Sequence, residues 1–256
     1  MKQHFDLTGR TALITGASSG LGRRFARTLS ASGARVVLAA RRVDRLEALA
    51  TEINAAGGDA LSVAMDVTDE ASVMAAFDTA QARFGVVDTV IANAGMNNRA
   101  MAVEIGAAEW DEVMAINVRG VFLTAREGAK RMLAAGFKAT GRGRVILVAS
   151  IGAVKVLPGL TAYCTSKAAV AMMGKSLARE WANRGVNVNV ICPGYIVTEL
   201  NADWFGEDGG KQQVAGFPRR RLMEEGDLDG MIGYLSSDAS RATTGSVFTL
   251  DDGQTL

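Results

Sequence analysis

Three side chains in the stretch VASIGAVKVLPGLTAYCTSKAAVAMMGKSLARE, Val148 to Glu180, have types and a spacing that chemistry can use. Tyr163 and Lys167 stand four residues apart where an apolar helix begins, and residues four apart share a helix face. A titratable phenol therefore lies beside an ammonium, with the Ser150 hydroxyl shortly before them. A second pattern competes for attention. The run TGASSGLGRRFARTL holds Gly16, Ser18 and Gly20 in the GxSxG arrangement of a nucleophilic serine. That chemistry needs a histidine after the serine, and the single histidine of the chain, His4, precedes it. The same count removes histidine acid/base catalysis in the core and HExxH zinc sites. Without a GK[ST] ending, the glycine run is not a Walker-A loop either.

What survives is a turn in which Gly16, Gly20 and Gly22 are spaced GxxxGxG between a first strand and a first helix. Glycines there allow a pyrophosphate to approach the helix N-terminus, so Gly16, Ser18, Ser19, Gly20, Leu21 and Gly22 are candidate dinucleotide contacts, with a merely flexible turn as the bland alternative. The second strand, ARVVLAARR, ends in Ala40, Arg41 and Arg42 with no carboxylate to bind a ribose 2′-hydroxyl. Two guanidiniums suited to a phosphate point to NADP(H) rather than NAD(H), unless they are ordinary solvated charges opening a helix.

The elements that must position these groups follow from pattern. Short β-branched runs recur at Arg10–Thr15, Ala34–Ala40, Ala60–Met65, Val86–Ala92, Arg144–Ala149, Val186–Ile191 and Ser246–Leu250, separated by segments of helical periodicity. Strands buried on both faces and alternating with helices predict an α/β fold, a doubly wound parallel sheet of seven strands. Prolines fall only in expected loops, at Pro158, Pro193 and Pro218, and no linker divides the chain, so residues 1–256 are expected to form one domain. The one long irregular region, Thr198 to Arg221, is expected to supply a substrate lid at about 199–220.

Composition narrows the partners. The chain has 256 residues, 48% apolar and 21% charged, with a net charge of +1 free of long runs. That balance offers no footprint for nucleic acid or an anionic membrane and favours a small-molecule partner. No apolar run is long enough for a membrane span or a signal peptide, and Cys164 and Cys192 lack metal or disulfide spacing, so a cytoplasmic protein with reduced thiols and no metal is expected.

With the glycine turn, NAG at Asn93–Gly95, Asn117 in AINVRG, Ser150, YCTSK and PGYIVT, the chain resembles the short-chain dehydrogenase/reductase family over nearly its whole length. The resemblance implies a Rossmann-type sheet of order 3-2-1-4-5-6-7 with the active site at the carboxyl ends of the strands. It also implies Tyr163 as acid/base, Lys167 as its electrostatic partner and ribose ligand, Ser150 as donor to the carbonyl oxygen, and Asn117 as anchor of a proton-relay water. A free phenol has a pKa of about 10, and an adjacent ammonium with a positive nicotinamide ring favours the phenolate. Ser18, Arg41 and Arg42 would read the 2′-phosphate, Asp66 and Val67 the adenine, and Asn93, Ala94 and Gly95 the ribose. Pro193, Gly194, Ile196 and Thr198 resemble the loop that holds the nicotinamide carboxamide. The chain departs from the family at Gln254, which stands at the second glycine of a DGG-like ending and would alter contacts between subunits. The segment AAGFKATGRGRV before the fifth strand reads as an extended surface loop.

The implied enzyme is an NADP-dependent short-chain alcohol dehydrogenase or carbonyl reductase. Trp204, Phe205 and Phe217 in the lid, with Val154, Leu157 and Met96, predict an apolar pocket for hydrophobic or bulky ketones and secondary alcohols. A 3-oxoacyl reductase acting on a carrier protein is the alternative, to be supported by clustering of Arg126, Lys130, Arg131 and Arg184. A non-catalytic nucleotide sensor is a third class, against which the intact Ser150, Tyr163 and Lys167 speak. Helical segments Ala107–Ala135 and Ala162–Asn183, apolar over more than one face and carrying Met172 and Met173, predict a homodimer or homotetramer.

Overall fold

The computed structural model describes residues 5–198 and 202–256. Seven parallel strands, β1 (Thr11–Thr15), β2 (Arg35–Ala40), β3 (Asp59–Ala64), β4 (Thr89–Ala92), β5 (Gly143–Val148), β6 (Val186–Pro193) and β7 (Val247–Leu250), lie in the order β3-β2-β1-β4-β5-β6-β7. Alternation decides which face each strand residue serves. Leu13, Val37, Val90, Val145 and Val188 enter one core, while Ala12, Ile14, Val36, Leu38, Ile91, Ile146 and Ile191 enter the other. Both sides of the pleat are thus apolar, as helices on both faces require.

One face is covered by α1 (Gly20–Ala31), α2 (Val43–Ala55) and α9 (Asp229–Ser236), whose Phe25, Leu29, Leu46, Ile53 and Ile232 complete its core. The other carries α3 (Glu70–Phe84), α5 (Val121–Ala134) and α6 (Thr161–Trp181), with Phe77, Met132, Val170 and Trp181 inside. The helix expected over Ala107–Ala135 is interrupted: α4 (Ala107–Met114) joins α5 through a π-helical turn at Ala115–Gly120 that contains Asn117. Such wider turns are uncommon and concentrate at functional sites.

At the amino ends of the strands, buried Arg10 and Arg144 gather around Asp88 and Asp238, with Arg144 donating to the carbonyls of Gly141, Gly143 and Ser237. That end is closed. The carboxyl ends stay open, and the order reverses between β1 and its neighbours β2 and β4, where a ligand crevice forms in this fold.

The region after β6 corrects the expectation of a long irregular stretch. Residues 199–201 lie outside the described residues, but α7 (Ala202–Gly206) and α8 (Asp208–Ala215) follow directly. Three glycines conceal helical periodicity here, and tertiary contact supplies what propensity does not: Trp204 Nε1 donates to Gln213 Oε1 at 2.7 Å, joining the two helices. The segment before β5 contains only a short 3₁₀ turn at Phe137–Ala139 flanked by turns, in keeping with an extended surface connection. Among the described residues no helix is long and apolar enough to cross a membrane.

Candidate active site

A groove of about 580 Å³ runs along the carboxyl ends of the strands. It begins at the glycine turn between β1 and α1. An added Cβ on Gly22 would lie 2.3 Å from the Gly16 carbonyl oxygen and 2.7 Å from Asn93 Nδ2, so the helix can sit this close to the turn only with glycine there. The first turn of α1 carries no acidic residue, leaving its amide groups to an anion. Arg42 reaches across to this turn, its Nη2 donating to Ser19 Oγ at 2.7 Å and Ser18 Oγ at 3.1 Å. Arg41 beside it is exposed, and neither end of β2 offers a carboxylate. The cluster Ser18, Arg41 and Arg42 therefore suits a phosphate better than a bare ribose hydroxyl.

Asn93, at the edge of the groove, also fastens two strand ends. Its Nδ2 donates to the Thr15 carbonyl at 2.9 Å, while Thr15 Oγ1 accepts from the amides of Asn93 and Ala94, both at 3.0 Å. The ends of β1 and β4 are so tied together, and Thr15, a residue the motif reading passes over, becomes their common anchor. Asp66 accepts from the Thr68 amide at 2.9 Å and its hydroxyl at 2.7 Å, bonds that hold its carboxyl below the usual range and shape the turn after β3.

The reactive end is built by β5, α6 and the π turn. Ser150 follows β5 and accepts from the Gly152 amide at 3.1 Å. Tyr163 and Lys167 share a face of α6, with Lys167 Nζ 5.6 Å from the centre of the phenol ring. Lys167 is 4% exposed and donates to the Val148 carbonyl at 3.0 Å. Burial pushes the Tyr163 phenol up to about 12, with the nearby Ser150 hydroxyl pulling the other way. Burial also brings Lys167 down to about 8. In the protein alone, desolvation therefore outweighs the ammonium at the phenol, and the lowered phenol pKa expected from sequence needs a further positive charge in the groove.

Asn117 is fully buried and does not line the groove with its side chain. Its Oδ1 accepts from the Met96 amide at 2.8 Å, and its Nδ2 donates to the Met96 carbonyl at 2.8 Å and to Ser166 Oγ at 3.0 Å. Ser166 in turn donates to the Tyr163 carbonyl at 2.7 Å. The chain from Met96 through Asn117 and Ser166 to Tyr163 fixes the N-terminus of α6 against the segment after β4. Ser166 lies three residues past Tyr163 in the YCTSK motif; only the fold reveals its partner.

Of the other expected residues, Gly22 supports the groove from behind, and Gly16, Ser18, Ser19, Gly20, Leu21, Arg41, Arg42, Asp66, Val67, Asn93, Ala94, Gly95, Pro193, Gly194, Ile196 and Thr198 line it. Asn97 and Glu112, which no motif marked, line it too. The loop after β6 closes over the head of α1, where Thr198 lies 3.5 Å from the place a Gly20 Cβ would take. The aromatic residues of the insert meet Tyr195 and Arg99: Tyr195 stacks on Phe217 at 5.7 Å and meets Phe205 edge-on at 5.4 Å, and the Arg99 guanidinium lies 3.7 Å from the Trp204 ring centre. Leu157 is buried, whereas Val154 is exposed.

The cations proposed for a carrier protein are not a free patch. Arg126 pairs with Glu70, Arg131 with Glu127 and Asp78, and Lys130 lies 3.9 Å from Glu127. Arg184 precedes β6 and so stands at the opposite end of the sheet from the groove.

A seven-stranded doubly wound sheet with a glycine-cradled groove ending at a serine, a tyrosine and a lysine defines a dinucleotide-dependent oxidoreductase. The sequence model described as short chain dehydrogenase matches residues 10–208. D-threitol dehydrogenase of Mycolicibacterium smegmatis is 36% identical over 253 residues, covering 98% of this chain and 95% of that protein. Gluconate 5-dehydrogenase of Gluconobacter oxydans is 32% identical, covering 98% and 97%. The crystal structure of a gluconate 5-dehydrogenase from Burkholderia cenocepacia J2315 in complex with NADP and tartrate superposes with a TM-score of 0.92 at 32% identity, over 99% of this chain and 98% of that one. The chain belongs to the short-chain dehydrogenase family.

Proposed function

We propose that the protein is an NADP(H)-dependent oxidoreductase that interconverts ketones and secondary alcohols. The observation that carries this reading is the convergence of Ser150, Tyr163 and Lys167 at one end of a groove whose other end is the Ser18, Arg41 and Arg42 cluster. Neighbours with NADP bound, such as the Burkholderia enzyme, support the cofactor. When bound, the nicotinamide supplies or accepts the hydride. In reduction Tyr163 delivers a proton to the carbonyl oxygen as the C–O bond becomes single, and the Ser150 hydroxyl donates a hydrogen bond to the same oxygen. Lys167 stabilises the phenolate left behind. Asn117 holds Met96 and, through Ser166, the start of α6, so its side chain acts by position; Asn117 as the anchor of a relay water stays part of the same proposal. Alcohol oxidation runs these transfers backwards.

Tyr195, Phe205 and Phe217 with Leu157 support a bulky apolar substrate under a lid formed by α7, α8 and the residues that follow to about 220. A second reading is favoured by Arg99: its face is taken by Trp204, and its N–H groups have no acceptor among the described residues, which suits a hydroxy acid or a polyol. The names of the threitol and gluconate relatives lean the same way. Phe122, 36% exposed, shares a shallow surface with Met114, Val118 and Met173, and Met172 beside Met173 in sequence is 62% exposed, which supports pairing of two copies through α4, α5 and α6. The two unpaired cysteines suit a reducing cytoplasm.

NADPH oxidation measured with a bulky aromatic ketone, a 2-keto sugar acid and a 3-oxoacyl thioester, with Tyr163→Phe as the blank, tests the reading. The expected result is turnover of a free carbonyl substrate, lowered about 10²–10⁴-fold by Tyr163→Phe with NADPH affinity kept. Near-normal turnover by that variant refutes the assignment of Tyr163, and preference for the thioester refutes the free-substrate reading.

A further inference from the structure

We infer that Gln254, in the C-terminal turn, is a positioning residue that sets the nicotinamide end of the groove and the aromatic wall of the substrate site; this rests on the dehydrogenase reading above. The turn after β7 is built to aim this one side chain inward. Asp251 accepts from the amides of Gly253 at 3.1 Å and Thr255 at 2.7 Å and from the Thr255 hydroxyl at 2.6 Å. Asp252 adopts a φ of 54°, in the left-handed region that few residues besides glycine, asparagine and aspartate take. Gln254 is left 2% exposed.

Its amide serves both backbone groups of Tyr195, as a neighbouring strand would. Oε1 accepts from the Tyr195 amide at 2.6 Å, and Nε2 approaches the Tyr195 carbonyl at 3.4 Å. The approach depends on Gly194, where a Cβ would lie 2.5 Å from Gln254 Oε1. The residue that departs from the family pattern thus turns inward and clasps the Pro193–Tyr195 turn within its own chain. Its backbone carbonyl accepts from Lys155 Nζ at 2.7 Å, and Lys155 lies on the loop between Ser150 and α6. Asp252, two residues before Gln254, pairs with Arg219 at 3.1 Å and Arg221 at 2.8 Å, just beyond α8.

One short turn therefore ties together the loop after β5, the turn after β6 and the end of the insert, the three segments around Tyr163. With both backbone groups of Tyr195 held, its ring stays against Phe205 and Phe217. Releasing the amide moves the wall and the carboxamide turn together without touching the proton donor.

Gln254→Met keeps the length of the side chain but removes its oxygen, whereas Gln254→Glu keeps an acceptor for the Tyr195 amide. Gln254→Met is expected to raise both the KM for a carbonyl substrate and the NADPH Kd, read by tryptophan fluorescence, by about fivefold to tenfold. The kcat should change by less than about threefold, and Gln254→Glu should recover most of the loss. A cofactor analogue with an acetyl group in place of the carboxamide should show a smaller penalty, a difference that a merely structural tail would not produce. Wild-type constants in Gln254→Met, or equal losses in Met and Glu variants, overturn the proposal. Should Gln254→Met fail to fold, Gln254→Asn, which keeps the amide but draws it back by one methylene from Tyr195, carries the comparison, with raised KM and Kd expected and wild-type values refuting it. Absence of any carbonyl turnover by the wild-type protein would count against the dehydrogenase reading instead, and the Kd comparison would still decide for Gln254.

Discussion

Carbonyl reduction by this protein should fail at a pH well below the ordinary titration of lysine. Lys167 is almost wholly buried, its amine faces the Val148 carbonyl, and among the described residues no carboxylate pairs with it. Burial lowers it from 10.5 to about 8, while Tyr163, raised to about 12, keeps its proton throughout. The form that stabilises a phenolate is the ammonium, so activity is present below the Lys167 pKa and lost above it. The kcat/KM for NADPH, which reports ionisations of the free enzyme, should be halved near pH ~8 and fall to roughly a tenth one unit higher. The assay is initial-rate NADPH oxidation at fixed ionic strength across the alkaline range. Lys167→Arg, whose guanidinium keeps its charge, should be slower at every pH but lose the alkaline limb. A wild-type profile flat to about pH 10, or a limb that survives in Lys167→Arg, would refute the desolvation argument.

Two further outcomes test the cofactor end. Arg41→Ala should weaken NADPH far more than NADH, by about tenfold or more in Kd, because a charge-assisted bond to phosphate is lost only with the phosphorylated cofactor; equal losses would place phosphate recognition elsewhere. Gly22→Ala forces a methyl to within 2.3 Å of the Gly16 carbonyl oxygen, so α1 must move. It should cost about 1–3 kcal/mol in urea unfolding and weaken NADPH as well; an unchanged midpoint would show that the turn relaxes freely.

The local order of elements could be read from the chain. β1 to β7 fall within a few residues of the β-branched runs because parallel strands buried on both faces need continuous apolar sequence, a signal that local composition carries. Ser150, Tyr163 and Lys167 were visible because a single helix brings two of them together, and the glycine turn because close approach leaves no other residue. Insert helices α7 and α8 were not visible: their glycines mask any period, and the Trp204–Gln213 bond that joins them depends on side-chain geometry.

The residue types thus determined a seven-stranded parallel sheet, a glycine turn suited to a phosphate and without a competing carboxylate, and a phenol–ammonium pair. Tertiary structure decided the energetics and the wiring. It buried Lys167 and Tyr163 deeply enough that desolvation, not their mutual field, governs the protein alone. It gave Asn117 and Asn93 hydrogen bonds that fasten the segments after β4, and it folded Gln254 back 59 residues to hold Tyr195. Burial and long-range hydrogen bonds are properties of which surfaces meet, and that information appears only when the chain has closed on itself.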